Sequence, residues 1–325
     1  MRGMIELATI GAINMDISIF VDEFAEVGGE VPVRELSMVP GGKAANVAVA
    51  AARILGPGRA ALIGCVGDDE MGSAHFGDLQ REGVDTSGIK VAKGMGSGRA
   101  YLIIDGRGRN SIYTFFGANS MIAPKDLDRP GIAKVFGEGS IIVVMDPPLD
   151  VAHKAIEAAK ALGKKVLWDP GVRSGLGLTE LGKSLRRTDY LVLNEVEAMR
   201  ISGSKDPMGA IPKLLGVAPS LKVVLKLGAK GCLMADGRRA VDVAGVDLEE
   251  VGLRPVNTVG CGDAFLGAFS ACLAKGIDEI EALERANCAG AFKASRPETR
   301  GSPGWDELES FMAKAKGSAR SRLLR

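Results

Sequence analysis

The segment with the clearest chemical content is residues 257–263, Asn-Thr-Val-Gly-Cys-Gly-Asp, which stands just before a long apolar stretch of helical periodicity. Gly260 and Gly262 allow the main chain to approach a ligand closely. The first N–H groups of a helix have no internal partner and attract anions such as phosphate. Asp263 would repel such an anion, so it makes chemical sense as a base that takes a proton from an attacking hydroxyl group. The alternative is that Asp263 only caps the helix.

Two further segments carry groups suited to binding hydroxyls. Residues 41–46, Gly-Gly-Lys-Ala-Ala-Asn, open a helix of small residues, with Asn46 one turn inside it. Residues 14–16, Asn-Met-Asp, follow an apolar strand-like run, so we expect Asp16 at a strand's carboxyl end, where open α/β sheets bind ligands. A carboxylate there can accept two hydroxyls of one sugar. A close-packed helix start and an Asx-turn are the structural alternatives.

The elements that must position these groups alternate along the chain between β-branched runs and helical patterns. The expected strands are apolar at nearly every residue, as in strands covered on both faces, and span 5–11, 61–66, 141–145, 165–168, 190–193, 223–227 and 232–235. The expected helices span 44–55, 71–82, 151–162, 207–215, 263–275 and 278–295. This order predicts an α/β fold with a doubly wound, mostly parallel sheet sandwiched by helices.

Two regions break the alternation. Residues 31–39 alternate apolar and polar side chains, whereas 99–104 and 111–116 flank a Gly-rich turn of the kind that closes a hairpin. With a further strand at 17–21, they predict a small antiparallel sheet inserted at approximately residues 12–40 and 96–119 of one domain spanning 1–325. Such a sheet can act as a lid over a cleft. A sheet-edge extension and a homodimer contact are the alternatives.

The composition argues against nucleic acids and membranes as binding partners. The chain has 325 residues and a net charge of +1, without the surplus of Lys and Arg that nucleic-acid binding requires. No apolar run is long enough for a membrane span, and the N-terminus does not resemble a signal peptide. Basic residues cluster only at the end of the chain, where we expect a solvated terminus: Lys314, Lys316, Arg320, Arg322 and Arg325.

The cysteines point to a reducing compartment. There are five, an odd number, scattered and without a C-x-x-C pair. This pattern argues against a disulfide framework and against a zinc site. We therefore expect a cytoplasmic protein.

Together, residues 41–48, 64–72 and 257–263 resemble the two signatures of the ribokinase/PfkB family of carbohydrate kinases, the second of which is usually written Asp-Thr-x-Gly-Ala-Gly-Asp. The resemblance covers nearly the whole chain in order. It implies a ribokinase-like fold with a β lid. It also implies that ATP, assisted by Mg²⁺, phosphorylates a hydroxymethyl group on a sugar or sugar phosphate such as ribose, ribose 1-phosphate or fructose 6-phosphate.

The resemblance also implies roles for single residues. Asp263 matches the catalytic base, and the amides of Gly260, Cys261 and Gly262 match the anion hole. The positions expected to bind the acceptor are Asn14, Asp16, Gly41, Gly42, Lys43, Asn46 and Asp146. Those expected to bind the nucleotide are Asn194, Lys226, Gly228 and Asn287. Asn194 and Glu197 match the N-x-x-E motif that organises Mg²⁺ through water.

Two departures from the family pattern matter. Asn257 replaces an Asp that helps ribokinases to bind a monovalent cation, which puts activation by potassium in doubt. Arg99 occupies a lid position that is apolar in ribokinases, and an arginine is suited to holding phosphate. We hypothesise from Arg99 that the acceptor is already phosphorylated. The alternative is an arginine that faces solvent on the lid.

Other functions remain open. A nucleoside kinase acting on cytidine, uridine or adenosine shares every motif quoted above, and a catalytically silent nucleotide-binding protein is a remote alternative. Residues 177–184 satisfy the pattern G-x-x-x-x-G-K-[ST], but no strand directly precedes them and their composition favours a helix. The sequence does not decide the acceptor, the choice of ATP over ADP, or the oligomeric state.

Overall fold

The computed structural model describes residues 4–315 and 320–324. Within these ranges the strands are β1 (Leu7–Gly11), β2 (Asn14–Val21), β3 (Val33–Gly41), β4 (Ala60–Gly67), β5 (Asp85–Ala92), β6 (Gly98–Ile104), β7 (Asn110–Phe115), β8 (Ile141–Met145), β9 (Lys165–Asp169), β10 (Tyr190–Asn194), β11 (Lys222–Lys226), β12 (Gly231–Ala235), β13 (Ala240–Ala244) and β14 (Ser321–Leu324). The helices are α1 (Lys43–Leu55), α2 (Glu70–Arg81), α3 (Pro130–Glu138), α4 (Leu149–Ala161), α5 (Gly177–Leu185), α6 (Glu195–Ser202), α7 (Pro207–Leu215), α8 (Cys261–Ala274), α9 (Glu279–Ala294) and α10 (Trp305–Lys314).

The main sheet has ten strands in the order β14-β13-β12-β11-β10-β9-β8-β1-β4-β5. The strands from β11 to β5 pair in parallel, and β12, β13 and β14 add antiparallel pairs at one side. The chain moves outward from β1 through β4 and β5, then returns to place β8 on the other side of β1. The strand order therefore reverses between β1 and β8, the kind of position where open α/β sheets bind ligands.

Helices cover both faces of this sheet, which confirms the predicted sandwich. One buried cluster packs α1, α8, α9 and α10 against the sheet, and a second packs α3 to α7 against the opposite face. Strands β1, β4 and β8 are buried at every residue, as the sequence predicts for strands covered on both sides.

A second sheet of four strands, ordered β3-β2-β6-β7, is the small sheet predicted from the sequence, and we call it the lid. Its outer pairs, β2 with β3 and β6 with β7, are antiparallel, whereas the central pair β2 and β6 is parallel. β2 follows β1 after two residues, and β3 leads directly into α1. The lid is thereby attached to the main sheet at the edge where the parallel strands end.

The carboxyl-terminal tail corrects one expectation. Arg322 is exposed, as the prediction of a solvated terminus requires, but residues 321–324 are not frayed: they form β14 against β13, with Arg322 opposite Asp242. The short sequence Ser-Arg-Leu-Leu carries too few apolar residues to indicate a strand by itself. Lys314 ends α10, and Lys316 and Arg325 lie outside the described residues.

The P-loop-like segment forms α5 (Gly177–Leu185), so no phosphate-wrapping loop is built there. In the described ranges, no helix combines the length and apolar character needed to cross a membrane.

Candidate active site

Asp263 lies in the first turn of α8 and is held by a side chain from another helix. The Nδ2 of Asn46 donates a hydrogen bond of 2.8 Å to its Oδ2. Burial raises the pKa of Asp263 above its ordinary value, while the bond from Asn46 and the charges of Lys43 and Lys226 oppose the shift. The carboxylate is thus oriented and also more basic than a solvated aspartate, as a proton acceptor requires.

Arg300 fixes the far side of Asn46, and the sequence patterns did not identify it. Its Nε donates to Asn46 Oδ1 at 3.0 Å, its Nη2 donates to the carbonyl oxygen of Gly41 at 3.0 Å, and its Nη1 pairs with Asp78. Because Oδ1 of Asn46 accepts from the guanidinium, the amide nitrogen must face Asp263. Arg300 lies in a loop after α9 with no periodicity or motif around it, so no sequence signal pointed to this role.

Asp16 lies on β2 beside the glycines that precede α1. A Cβ on Gly41 would stand 2.1–2.5 Å from the Asp16 carboxylate, so any side chain at position 41 would displace that carboxylate. Burial raises the pKa of Asp16 to about 7; the negative charge of Asp263 adds to this shift, and Arg300 opposes it. The two carboxylates and Arg300 therefore form one electrostatic group.

Asn14 opens β2 and is oriented by a buried amide that the sequence analysis did not single out. The Nδ2 of Asn119 donates to Asn14 Oδ1 at 2.8 Å and to the Ile13 carbonyl at 3.0 Å. Asn119 also accepts from the Ile13 amide at 2.9 Å through its Oδ1. Asn14 and Asp16 point to the same face of β2 because side chains two residues apart do so.

Lys43 begins α1 and pairs with Asp146, which follows β8; Nζ and Oδ2 are 3.1 Å apart. Burial opposes the charged lysine, but Asp146 and other nearby carboxylates outweigh it and raise the pKa of Lys43. Asp146 itself has φ 57°, the one positive value at a non-glycine residue among those described. Such backbone conformations cluster at functional sites. Gly42, with φ 88°, packs so tightly that a Cβ would lie 2.5 Å from the Asn14 nitrogen.

Asp169 and Lys226 form a buried ion pair at the ends of β9 and β11, with Nζ and Oδ2 2.8 Å apart. Burial alone would raise the pKa of Asp169, but Lys226 and Lys43 lower it below the ordinary value. Lys226 was expected in the site and Asp169 was not. The rule that placed Asp16 at the end of a strand would also have selected Asp169, which directly follows the predicted strand 165–168.

Asn194 and Glu197 bond to each other at the start of α6. The Asn194 N–H donates to Glu197 Oε2 at 2.9 Å, and the Glu197 N–H donates to Asn194 Oδ1 at 2.9 Å. Burial and the nearby Asp169 raise the pKa of Glu197. Throughout the ranges described, no three His, Cys, Asp or Glu side chains are grouped so as to hold a metal ion directly. Oxygen donors without a complete cage fit Mg²⁺, which keeps waters and binds nucleotide phosphates.

A cavity of about 670 Å³ opens next to these groups, and it is large enough for a nucleotide. Its walls include Lys226, Gly228 and Asn287, three of the four residues expected to bind nucleotide, but not Asn194. Asn287 is held by a 2.8 Å bond from its Nδ2 to the carbonyl of Ala244. The rest of the wall combines small and apolar side chains, many of them from α9, with two carboxylates, Asp247 and Glu249.

The turn at residues 257–262, which we call the anion turn, forms the boundary between this cavity and Asp263. Cys261 and Gly262 line the cavity, and a Cβ on Gly262 would lie 3.4 Å from the Lys226 ammonium. Gly260 has φ 85° and leaves no room for a side chain, since a Cβ would stand 2.3 Å from the Thr299 carbonyl oxygen. Helix α8 thus begins at a cationic, close-packed turn suited to phosphate.

Arg99 is not brought to this cluster. In the pairing of β2 with β6, Arg99 stands opposite Met15, so it shares the face of Met15 rather than that of Asp16. Its Nη2 is 3.7 Å from Asp69 Oδ2, and its guanidinium carbon is 5.8 Å from the centre of the Phe115 ring.

Comparisons with known proteins identify the family of the chain. The family model described as "pfkB family carbohydrate kinase" matches residues 4–305. An ATP-dependent ribose-1-phosphate kinase of Halopiger xanaduensis is 29% identical over 95% of this chain and 99% of its own length. A probable fructokinase-2 of Arabidopsis thaliana is 32% identical over 79% of this chain and 81% of its own. The crystal structure of a ribokinase from Thermotoga maritima superposes with a TM-score of 0.83 at 26% identity, covering 95% of this chain and 99% of that one.

Proposed function

Because the chain belongs to the pfkB family of carbohydrate kinases, and is therefore a phosphotransferase with an alcohol acceptor, we propose that it transfers the γ-phosphoryl group of ATP to a hydroxymethyl group of a ribose-type sugar or sugar phosphate. The observation that carries this proposal is the position of Asp263. Its carboxylate bonds to Asn46, near the hydroxyl-binding Asp16, and it stands one residue from Gly262, which lines the nucleotide cavity.

The proposed reaction is an in-line displacement. The acceptor oxygen attacks the γ-phosphorus, and the bond from that phosphorus to the β–γ bridging oxygen breaks, so ADP leaves. Asp263 takes the proton of the hydroxyl as the new bond forms. The amides of the anion turn and the Lys226 ammonium stabilise the negative charge on the transferring group.

Asn194 and Glu197, with Asp169 beside them, are the residues that would hold Mg²⁺ through water. When bound, the ion neutralises charge on the nucleotide phosphates. The chain's own contribution is to fix these oxygens: the two reciprocal bonds between Asn194 and Glu197 hold the carboxylate at the mouth of α6.

Asp16 and Asn14 on the lid, together with Asp146 and Lys43, would bind the acceptor hydroxyls. A ribose-type acceptor is favoured by the ribose-1-phosphate kinase relative, which matches the chain over nearly its full length. Binding of an acceptor phosphate by Arg99 stays a prediction. Its side chain contacts Asp69 and Phe115 rather than the residues proposed to bind the acceptor hydroxyls.

A panel of acceptors tests this proposal. ATP consumption and product mass are measured with ribose, ribose 1-phosphate, fructose 6-phosphate, 2-keto-3-deoxygluconate, cytidine and adenosine, with ATP and ADP compared as donors. We expect the highest kcat/KM for ribose or ribose 1-phosphate with ATP. Highest activity on a nucleoside would replace the proposal by a nucleoside kinase. Tight ATP binding without transfer to any acceptor would favour a silent nucleotide-binding protein.

The role of Arg99 needs its own variant. If it holds an acceptor phosphate, Arg99→Ala raises KM for the phosphorylated sugar and leaves KM for the plain sugar unchanged. An equal rise for both sugars would contradict that role. Arg107→Ala, in the neighbouring exposed turn, is the matched control, and we expect no change in either KM.

We further propose a homodimer formed through the lid. The outer strands β3 and β7 expose large apolar side chains, including Leu36, Met38, Ile112 and Tyr113, each 49–64% exposed. Apolar patches of this kind mark interaction surfaces. Sedimentation should give twice the mass of one chain, and Leu36→Asp should reduce it to the mass of one chain.

The five cysteines are all free, which favours the cytoplasm as the compartment.

A further inference from the structure

Lys293 is a buried cation that the proposed mechanism does not use. It lies near the end of α9, and its side chain is 0% exposed. In the part of the chain that the structure describes, no carboxylate pairs with it. Its ammonium instead donates to main-chain carbonyl oxygens, that of Asn257 at 2.8 Å and that of Arg296 at 3.3 Å. Burying a charge without an ionic partner is costly, so this arrangement needs an explanation.

We propose that the ammonium of Lys293 is a built-in cation of the anion turn, doing there what a bound monovalent ion would do, and that the enzyme consequently needs no potassium. The first of its acceptors, Asn257, is the first residue of that turn. The second, Arg296, lies in the loop that leads to Arg300. One charge therefore joins the segment that binds phosphate to the segment that positions Asn46 and Asp263.

The side chain of Asn257 supports the same arrangement. Its Oδ1 accepts from the Val259 amide at 2.9 Å, and its Nδ2 donates to the Pro297 carbonyl at 2.7 Å. An aspartate could not donate to Pro297. Lys293 and Asn257 thus both donate to carbonyls of residues 296–297. An aspartate at position 257 would instead bring a negative charge to these carbonyl oxygens, and a cation would be needed to balance it.

The location gives the charge a catalytic consequence. Burial lowers the pKa of Lys293, whereas Cys261, Glu298 and Asp263 oppose the shift. The ammonium lies against the anion turn, because the Asn257 carbonyl that accepts from it at 2.8 Å belongs to that turn. A fixed positive charge behind the turn favours negative charge on a phosphoryl group in front of it. The residues present therefore do not fit an added monovalent cation at these carbonyls, because the ammonium already binds them.

The inference rests on the proposed kinase site, so its test includes measurements that need no acceptor. The melting temperature of the nucleotide-free protein and the Kd of ATP are measured in KCl and in choline chloride at equal ionic strength. The rate of phosphoryl transfer is measured in the same salts with the best acceptor. For the unchanged protein, we expect the same melting temperature and Kd in both salts, and rates that agree within about twofold.

Two variants distinguish the effect of the Lys293 charge from the effect of the volume that its side chain fills. Lys293→Ala removes the ammonium and leaves room for an ion, so kcat should fall on the order of tenfold or more in choline chloride. KCl or NH₄Cl should then restore both kcat and melting temperature in a saturable way. Lys293→Met removes the charge but fills the space, so neither salt should restore it. Lys154→Ala, on the exposed surface of α4, is the control and should behave like the unchanged protein.

Two results would overturn the proposal. One is that potassium raises the melting temperature of the unchanged protein by several degrees, or its ATP affinity or transfer rate several-fold. The other is a Lys293→Ala variant that matches the unchanged protein in choline chloride. If Lys293→Ala does not fold, the salt comparison on the unchanged protein and the charge-preserving Lys293→Arg still decide the question. Salt-independent melting and ATP binding without transfer to any acceptor would support the built-in cation while rejecting the kinase proposal.

Discussion

Asn46 and Asp263 are 217 residues apart in the chain, and a single 2.8 Å hydrogen bond between their side chains joins two helices. Asn46 belongs to α1, which begins where the lid strand β3 ends, and Asp263 belongs to α8 behind the anion turn. The strand that ends at Gly41 and the helix that carries the Asp263 carboxylate are thereby connected through α1 and one hydrogen bond. Under the proposed function, this bond links the acceptor side of the site to its nucleotide side.

Replacing the base should stop catalysis without abolishing nucleotide binding. We expect Asp263→Asn to lower kcat by about 10²–10⁴-fold, the range typical of a lost general base. The Kd of ATP, measured by calorimetry, should change little because the amides of the anion turn remain. Asp128→Asn, an exposed aspartate in another part of the chain, serves as the control. Near-normal turnover by Asp263→Asn would refute the assignment.

Arg300 should act as a positioning residue through Asn46. Without its guanidinium, Asn46 loses the bond that orients its amide, and we expect Arg300→Gln to lower kcat/KM by roughly 10²-fold. Arg300 also lowers the pKa of Asp16, so the pH dependence of the acceptor KM should shift to higher pH in the variant.

A matched surface variant distinguishes this role from general destabilisation. Arg81 pairs with the same Asp78 from the solvent side, 73% exposed, and Arg81→Gln should leave both the rate and the pH profile unchanged. Arg300→Lys should recover the pH profile in part, since it restores the charge. If Arg300→Gln lowers the melting temperature but leaves the pH profile in place, its role is structural only.

The acceptor KM should depend on pH near neutrality. Asp16 must be ionised to accept two hydroxyls, and its pKa is raised to about 7. KM for the acceptor should therefore rise as the pH falls below about 7, while the Kd of ATP stays constant. In Asp16→Asn the KM should be high and independent of pH between 5.5 and 8, values chosen to bracket the expected pKa of about 7.

The raised pKa of Asp16 also predicts an effect on stability: ionisation of this carboxyl favours acceptor binding but destabilises the folded protein. Because the pKa of Asp16 in the folded protein lies above its ordinary value of 3.8, ionisation costs folding free energy progressively as the pH rises from about 4 to about 7. Asp16→Asn should therefore raise the melting temperature more at pH 8 than at pH 5, where pH 8 lies above the raised pKa of about 7. A decrease at pH 8 would contradict the raised pKa.

The sequence predicted the parts of the fold that have a strong local signal. The fully apolar strands, six of the helices and the two parts of the lid were located within a few residues, whereas helices α3, α6 and α10 were not predicted. Strand β5 was missed because only two of its eight residues, Gly88 and Ala92, are buried, and the pattern is correspondingly weak. Strand β14, at the edge of the sheet, was missed because it has only four residues, and β13, between β12 and β14, was missed because its five residues are too short a run to stand out.

The same division applies to the site. Asp263, Asn46 and Asp16 could be predicted as site residues because glycines or strand ends mark their positions. Arg300 and Lys293 could not, because their partners Asn46 and Asn257 lie 254 and 36 residues away in the chain and come close only on folding. Such contacts between distant segments have no spacing in the sequence by which to recognise them.

The packing of that loop on the anion turn gives the last prediction. Gly260 has φ 85°, and a Cβ there would stand 2.3 Å from the Thr299 carbonyl oxygen, whereas Gly276 has φ 77° and open space. Both substitutions by alanine strain the backbone, at about 1–2 kcal/mol. Only Gly260→Ala also pushes the loop away from the turn, which should cost roughly 1–3 kcal/mol more. The free energy of unfolding by urea measures the difference. Because the displaced loop carries Arg300, Gly260→Ala should also lower kcat, and Gly276→Ala should not; equal stabilities and equal rates for the two variants would show that the loop does not hold the turn.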